Sequence, residues 1–145
     1  MLTTVLALAA GLSAAFIALI GNRWAVRGGD RVAVAALVPL VEEAAKTGAA
    51  LVIGAPILAT HVVFGLIEAG YDIIKPSRFG LLAGFVGLVG HLAFGLMAGL
   101  VYGRLGSGPA AVAAATLAHI FFNAVIIGRL PAIGRWRGDG RRNRV

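Results

Sequence analysis

The sequence predicts an all-α, polytopic transmembrane bundle of about five helices, and three observations carry that prediction. Apolar residues make up 59% of the 145-residue chain and charged residues only 13%, a balance outside the range of soluble domains of this length. The apolar residues gather into five runs close to the 20 or so residues that a membrane-spanning helix needs: 2–20, 31–54, 57–73, 79–103 and 109–128. The basic residues fall almost entirely between or after these runs, where topology accounts for the net charge of +7. Nucleic acid is not an expected partner, because no basic patch alternates with exposed aromatics.

The first run has no Lys or Arg before it and Arg23, Arg27 and Arg31 after it. That is the reverse of the charge order of a cleavable signal peptide, so the run is expected to stay as a helix with its N-terminus outside. An odd number of spans then places the C-terminus in the cytoplasm. The segments assigned to that side hold Arg23, Arg27, Arg31, Lys75, Arg78, Arg129, Arg135, Arg137, Arg141, Arg142 and Arg144, leaving only Arg104 and Lys46 elsewhere, as cytoplasmic loops should. The expected location is the inner (plasma) membrane of a prokaryotic-type cell, crossed several times. Residues 1–134 form the transmembrane domain, and the basic tail 135–145 is expected to be disordered and drawn to anionic lipid.

The second run contains Glu42, Glu43 and Lys46. Each charge at mid-bilayer costs roughly 2.5–3.5 kcal/mol on insertion scales, so each needs a partner, a cavity or water. Glu42 and Lys46 stand at i and i+4 and can pair, while Glu43 lies about 100° further round. Lys46 can neutralise only one carboxylate, and the other is a candidate general base. Pro39, one turn earlier, frees the carbonyl of Ala35 and is a candidate kink. A short turn at Pro56, in an uncharged segment, leads to the third run. That run reads HVVFGLIEAGYD, with His61, Gly65, Glu68 and Asp72 on one face. Glu68 is its interior member, and His61 and Asp72 are expected at the two membrane interfaces.

In the fourth run Gly87, His91, Gly95, Gly99 and Gly103 recur every four residues. This predicts a packing face that turns His91 toward other helices and leaves room for oligomers. The fifth run, TLAHIFFNAVII, carries His119 and Asn123 at i and i+4 on one face, with Phe121 and Phe122 packing against lipid or helices. At about 1.5 Å per residue from each cytoplasmic end, Glu42, His91 and His119 come out near 15–18 Å deep. Glu68 and Asn123 come out near 8–9 Å, so all five belong to one slab and one shared site. The chain has no cysteine, so its chemistry must come from carboxylates, imidazoles, amides and water.

Glu42-Glu43-x-x-Lys46, Phe64-x-x-x-Glu68, His91 and His119-x-x-x-Asn123, in that order on successive spans, resemble the PrsW branch of the Abi/CAAX (CPBP) superfamily of glutamic intramembrane proteases. The resemblance covers residues 42–123, a four-helix core behind one leading helix. The wider superfamily usually ends the first motif in arginine and the second in histidine, and Lys46 and Glu68 point to the PrsW branch. The resemblance implies Glu42 as general base for water, His91 or Glu68 as water-positioning groups, and His119 with Asn123 as oxyanion donors. Glu43 and Lys46 would set the charge around the base. It implies no metal or other cofactor, and a membrane-linked peptide or protein as substrate. Two other readings use the same residues. Two Glu and two His in a helical bundle can ligate zinc or a di-iron pair, and intramembrane carboxylates and histidines also mark transporters and proton relays or a non-catalytic binding protein.

Overall fold

The computed structural model describes residues 1–27 and 31–129, and among them the chain forms five α-helices and no strand. They are α1 (Leu2–Arg27), α2 (Arg31–Ile53), α3 (Ile57–Ile74), α4 (Gly80–Leu105) and α5 (Gly108–Arg129). The tail expected over 135–145 lies outside the described residues. Each helix coincides with one apolar run, but α1 continues past the expected end at Ile20 as far as Arg27. Apolarity fades at Gly21, whereas the segment GNRWAVR holds no proline and nothing in it stops backbone hydrogen bonding.

The connections are set by local chemistry. Gly54 has φ 74° and Gly106 φ 61°, a left-handed conformation that glycine adopts without a Cβ penalty. At these ends the Ala55 N–H donates to the Ala50 carbonyl and the Gly106 N–H to the Tyr102 carbonyl, both at 2.8 Å. Pro56, with φ −61°, leads into α3, and the Ser107 Oγ accepts from the Ala110 N–H to cap α5. These short links make α2 with α3, and α4 with α5, antiparallel neighbours. α1 packs on α2 and α3, α4 on α3 and α5, and α5 returns to α2, closing a ring across which α2 and α3 also touch.

The interior is built from small residues. Ala10, Ala14, Ala50, Ala98, Ala111 and Ala115 are fully buried, while Phe16, Leu81, Phe85, Leu117 and Phe121 face outward. Water would favour the opposite arrangement. In lipid, apolar burial gives helices no reason to associate, and close approach through small residues takes over. α1, α3, α4 and α5 are each long and apolar enough to cross a membrane, which makes this a multi-pass membrane protein. α2 is 23 residues long and carries its three mid-helix charges inside the bundle, with Ala35, Leu37, Leu40, Ala44 and Val52 on its exposed side.

The packing face of α4 differs from the expected glycine row. The close approaches are at Gly80 against Asp72, Gly84 against Ala69, Gly90 against Phe122 and Gly95 against His61, whereas Gly87, Gly99 and Gly103 meet nothing within 4 Å among the described residues. Steps of four residues advance about 40° beyond a full turn each, so a long row of them winds off the interface. The face that stays on α3 and α5 combines steps of three and four, and His91 lies on it, buried.

Candidate functional site

Lys46 of α2 approaches both carboxylates, but unequally. Lys46 Nζ lies 2.6 Å from Glu43 Oε1 and 3.9 Å from Glu42 Oε2, so the near partner is at i+3, not i+4, of the helix. Glu43 and Lys46 are both fully buried, and such a pair is tolerable only when further hydrogen bonds satisfy it. They do. Nδ1 of His119 donates to Glu43 Oε1 at 2.9 Å, and the Lys46 ammonium donates to Nδ1 of His91 at 3.0 Å while standing 4.5 Å from the ring centre of Phe64, a cation–π distance.

Those contacts fix proton positions on the two imidazoles. Lys46 has only donors, so Nδ1 of His91 accepts, and the His91 proton sits on Nε2. From there it is donated to Glu68 Oε2 at 2.5 Å. Both nitrogens of His91 are therefore committed. His119 is different: its Nδ1 proton goes to Glu43, and its Nε2 has no partner among the described residues. Its ring stacks on Phe94, with centroids 4.4 Å apart, and stands edge-on to His91 at 6.0 Å. Gly65 makes room for His91, since a Cβ there would come within 3.0 Å of that ring.

Glu42 is held from outside α2. Asn22 of α1 donates its Nδ2 proton to Glu42 Oε1 at 2.9 Å, leaving Oε2 with only the long approach of Lys46. Glu68 is half-exposed, with 44% of its side chain accessible, and Glu42 lies within electrostatic reach of it and of His119. With neutral imidazoles the two buried carboxylates, Glu42 and Glu43, and the Lys46 ammonium carry a formal charge of −1, a burial cost that their hydrogen bonds offset in part.

Six of the seven expected residues, Glu42, Glu43, Lys46, Glu68, His91 and His119, thus form one connected network. Asn123, one turn beyond His119, is partly buried and has no hydrogen-bond partner among the described residues. His61, expected as an interfacial polar residue, lies near the start of α3 and is turned into the bundle. It is fully buried, with Nε2 hydrogen-bonded to Thr47 Oγ1 at 3.4 Å and Nδ1 facing Glu43 Oε2 at 3.6 Å. Gly95 explains this, because the missing side chain on α4 leaves space that the His61 Cβ occupies. Asp72 remains partly exposed near the end of α3.

Asn22, Thr47 and Phe94 went unnoticed in the sequence. The signal for Asn22 was present: Ala7, Ala10, Ala14, Ala18 and Gly21 continue one small-residue face at helical spacing right up to it. Fold and site together define a multi-pass helical membrane protein with a buried Glu/His/Lys network. No family model, curated protein or solved structure matches the chain.

Proposed function

We propose that the chain is an intramembrane peptide hydrolase in which Glu42 activates water against a membrane-linked peptide. The observation that carries this reading is the division of labour between adjacent carboxylates. Lys46 and His119 are spent on Glu43, and Glu42 keeps one oxygen bonded only at long range. A carboxylate that is held but not neutralised is what a general base requires.

The remaining residues take roles that follow from their free atoms. His91 has no nitrogen left for substrate, so it orients Glu68, whose other oxygen can hold the water. His119, pinned through Nδ1 by Glu43, presents Nε2, and in the protonated ring that N–H donates to the oxyanion. Asn123, with an uncommitted amide, is the second donor. The water oxygen bonds to the peptide carbonyl carbon as its proton passes to Glu42. The C–N bond then breaks as Glu42 returns that proton to the leaving amine. In this reading α2 is the fifth span and the order of motifs reflects kinship with the PrsW branch. The membrane is a prokaryotic-type plasma membrane with the C-terminus in the cytoplasm. The metal alternative is disfavoured by Lys46, whose ammonium sits among the carboxylates and imidazoles that would have to surround a dication.

The test is cleavage of a panel of single-span peptides by protein reconstituted in liposomes, with and without a chelator. Wild type should cut at least one peptide with or without chelator, and a folded Glu42→Gln variant should not. Cleavage by Glu42→Gln would remove Glu42 from the base role, and loss of cleavage on chelation with recovery on adding zinc would favour the metal reading.

A further inference from the structure

Every residue of the resemblance lies on α2 to α5, yet the only hydrogen bond to Glu42 among the described residues comes from α1. α1 reaches it because Gly21 lets the two helices close up: a Cβ at Gly21 would come within 2.5 Å of Val41 Cγ1. The bond joins residues 20 apart in sequence, on helices that pack directly on each other. Its polarity is set by chemistry, since a carboxylate only accepts and the amide must turn Nδ2 toward it. The same turn leaves Asn22 Oδ1 buried and without a partner, an arrangement that normally costs stability and persists where a site needs it. Beyond Asn22 lies an open surface cavity of about 420 Å³, which Leu19, Asn22, Arg23 and Arg27 line.

We infer that Asn22 is a positioning residue for Glu42. Its Nδ2–H fixes Oε1 and so aims Oε2 at the attacking water, which makes the leading helix part of the catalytic apparatus and not a membrane anchor alone. The inference rests on the hydrolase reading, with Glu42 as base. A base displaced by about 1 Å loses on the order of 100-fold in rate, and an aimed base affects turnover more than substrate affinity.

Asn22→Leu keeps the branched shape and heavy-atom count of the amide and removes the donor, and Asn22→Ala provides a second, smaller variant should Leu fail to fold. In the liposome assay either folded variant should lower kcat by roughly 10- to 100-fold with KM within about twofold of wild type. Infrared spectra read the bond without any activity. The Glu42 carboxylate band, identified by its loss in Glu42→Gln, should shift in both variants. A wild-type kcat in folded Asn22→Leu overturns the inference, as does a Glu42 band that does not move. If wild type cleaves no peptide, the hydrolase reading falls and the inference with it, whereas failure of the inference alone leaves cleavage by wild type and its loss in Glu42→Gln intact.

Discussion

Lys46 stands 2.6 Å from Glu43 and 3.9 Å from Glu42, so neighbouring carboxylates on one helix live in different electrostatic surroundings. Breaking a buried pair by removing one partner strands the other, at a cost of about 3–5 kcal/mol. Lys46→Met should therefore destabilise the protein by about that much, and Glu43→Gln similarly. The double variant leaves no stranded charge and should recover part of the loss, a coupling of about 0.5–3 kcal/mol in a double-mutant cycle. Unfolding in detergent by a chemical denaturant measures it, and strict additivity would mean that the pair is not coupled. Glu42→Gln, with no short ion pair to break, should be milder than either single change.

The His91 ring bridges Lys46 and Glu68, which separates two variants that a simple list of polar residues would treat alike. Glu68→Gln keeps an oxygen to accept the Nε2 proton, and the site is half-exposed. Its stability should stay within about 1 kcal/mol of wild type. His91→Ala removes both bonds, takes from Lys46 the acceptor it has besides the carboxylates, and opens space beside Phe64 and Phe94. It should cost about 3 kcal/mol or more. Equal losses for the two variants would show that the bridge does not hold the helices together.

His119 should separate function from stability. It ends the network, with one nitrogen on Glu43 and the other without a partner among the described residues. If its Nε2 serves the oxyanion, His119→Ala should lower kcat by about 10²- to 10³-fold. His119→Asn, which retains a donor, should lose less. Measuring kcat beside a thermal melt decides between the roles: a loss of turnover that merely tracks the fraction folded would assign His119 to structure.

The fold was legible because the bilayer imposes a simple rule, and runs of about 20 apolar residues report it directly. The site was partly legible because charges in such runs must face inward. What stayed hidden were contacts that a helix drawn as a line of Cα atoms does not show. Depth arithmetic put Glu68 and His91 in one slab but at levels about 6–10 Å apart, and a hydrogen bond joins them directly. In antiparallel helices side chains lean toward their own N-termini. Glu68 thus leans toward the Ile57 end of α3 and His91 toward the Gly80 end of α4, and the two converge. Pairing of Lys46 with Glu43 over Glu42 was equally hidden, since i+3 and i+4 spacings are both permitted on one helix and the choice is made by His119 and Asn22 from elsewhere. The contacts of His61 were hidden for a related reason: its burial depends on a glycine on a different helix.

That dependence on Gly95 gives a prediction independent of any activity. A Cβ at Gly95 would stand 2.7 Å from the His61 Cβ and 3.0 Å from its ring, and neither is the free end of a flexible chain. Accommodating it requires α3 and α4 to separate where His61 meets Glu43 and Thr47. Gly95→Ala should therefore destabilise by about 1–3 kcal/mol, the range for overpacking a tight contact. Gly99, one turn on in the same helix, meets nothing within 4 Å. There alanine only reduces backbone freedom in the unfolded chain, and Gly99→Ala should be neutral or stabilising by up to about 1 kcal/mol. The pair shares helix, residue type and substitution, so a difference in sign between their melting temperatures isolates the close approach. If both variants melt together, the α3–α4 contact at His61 is looser than the structure shows.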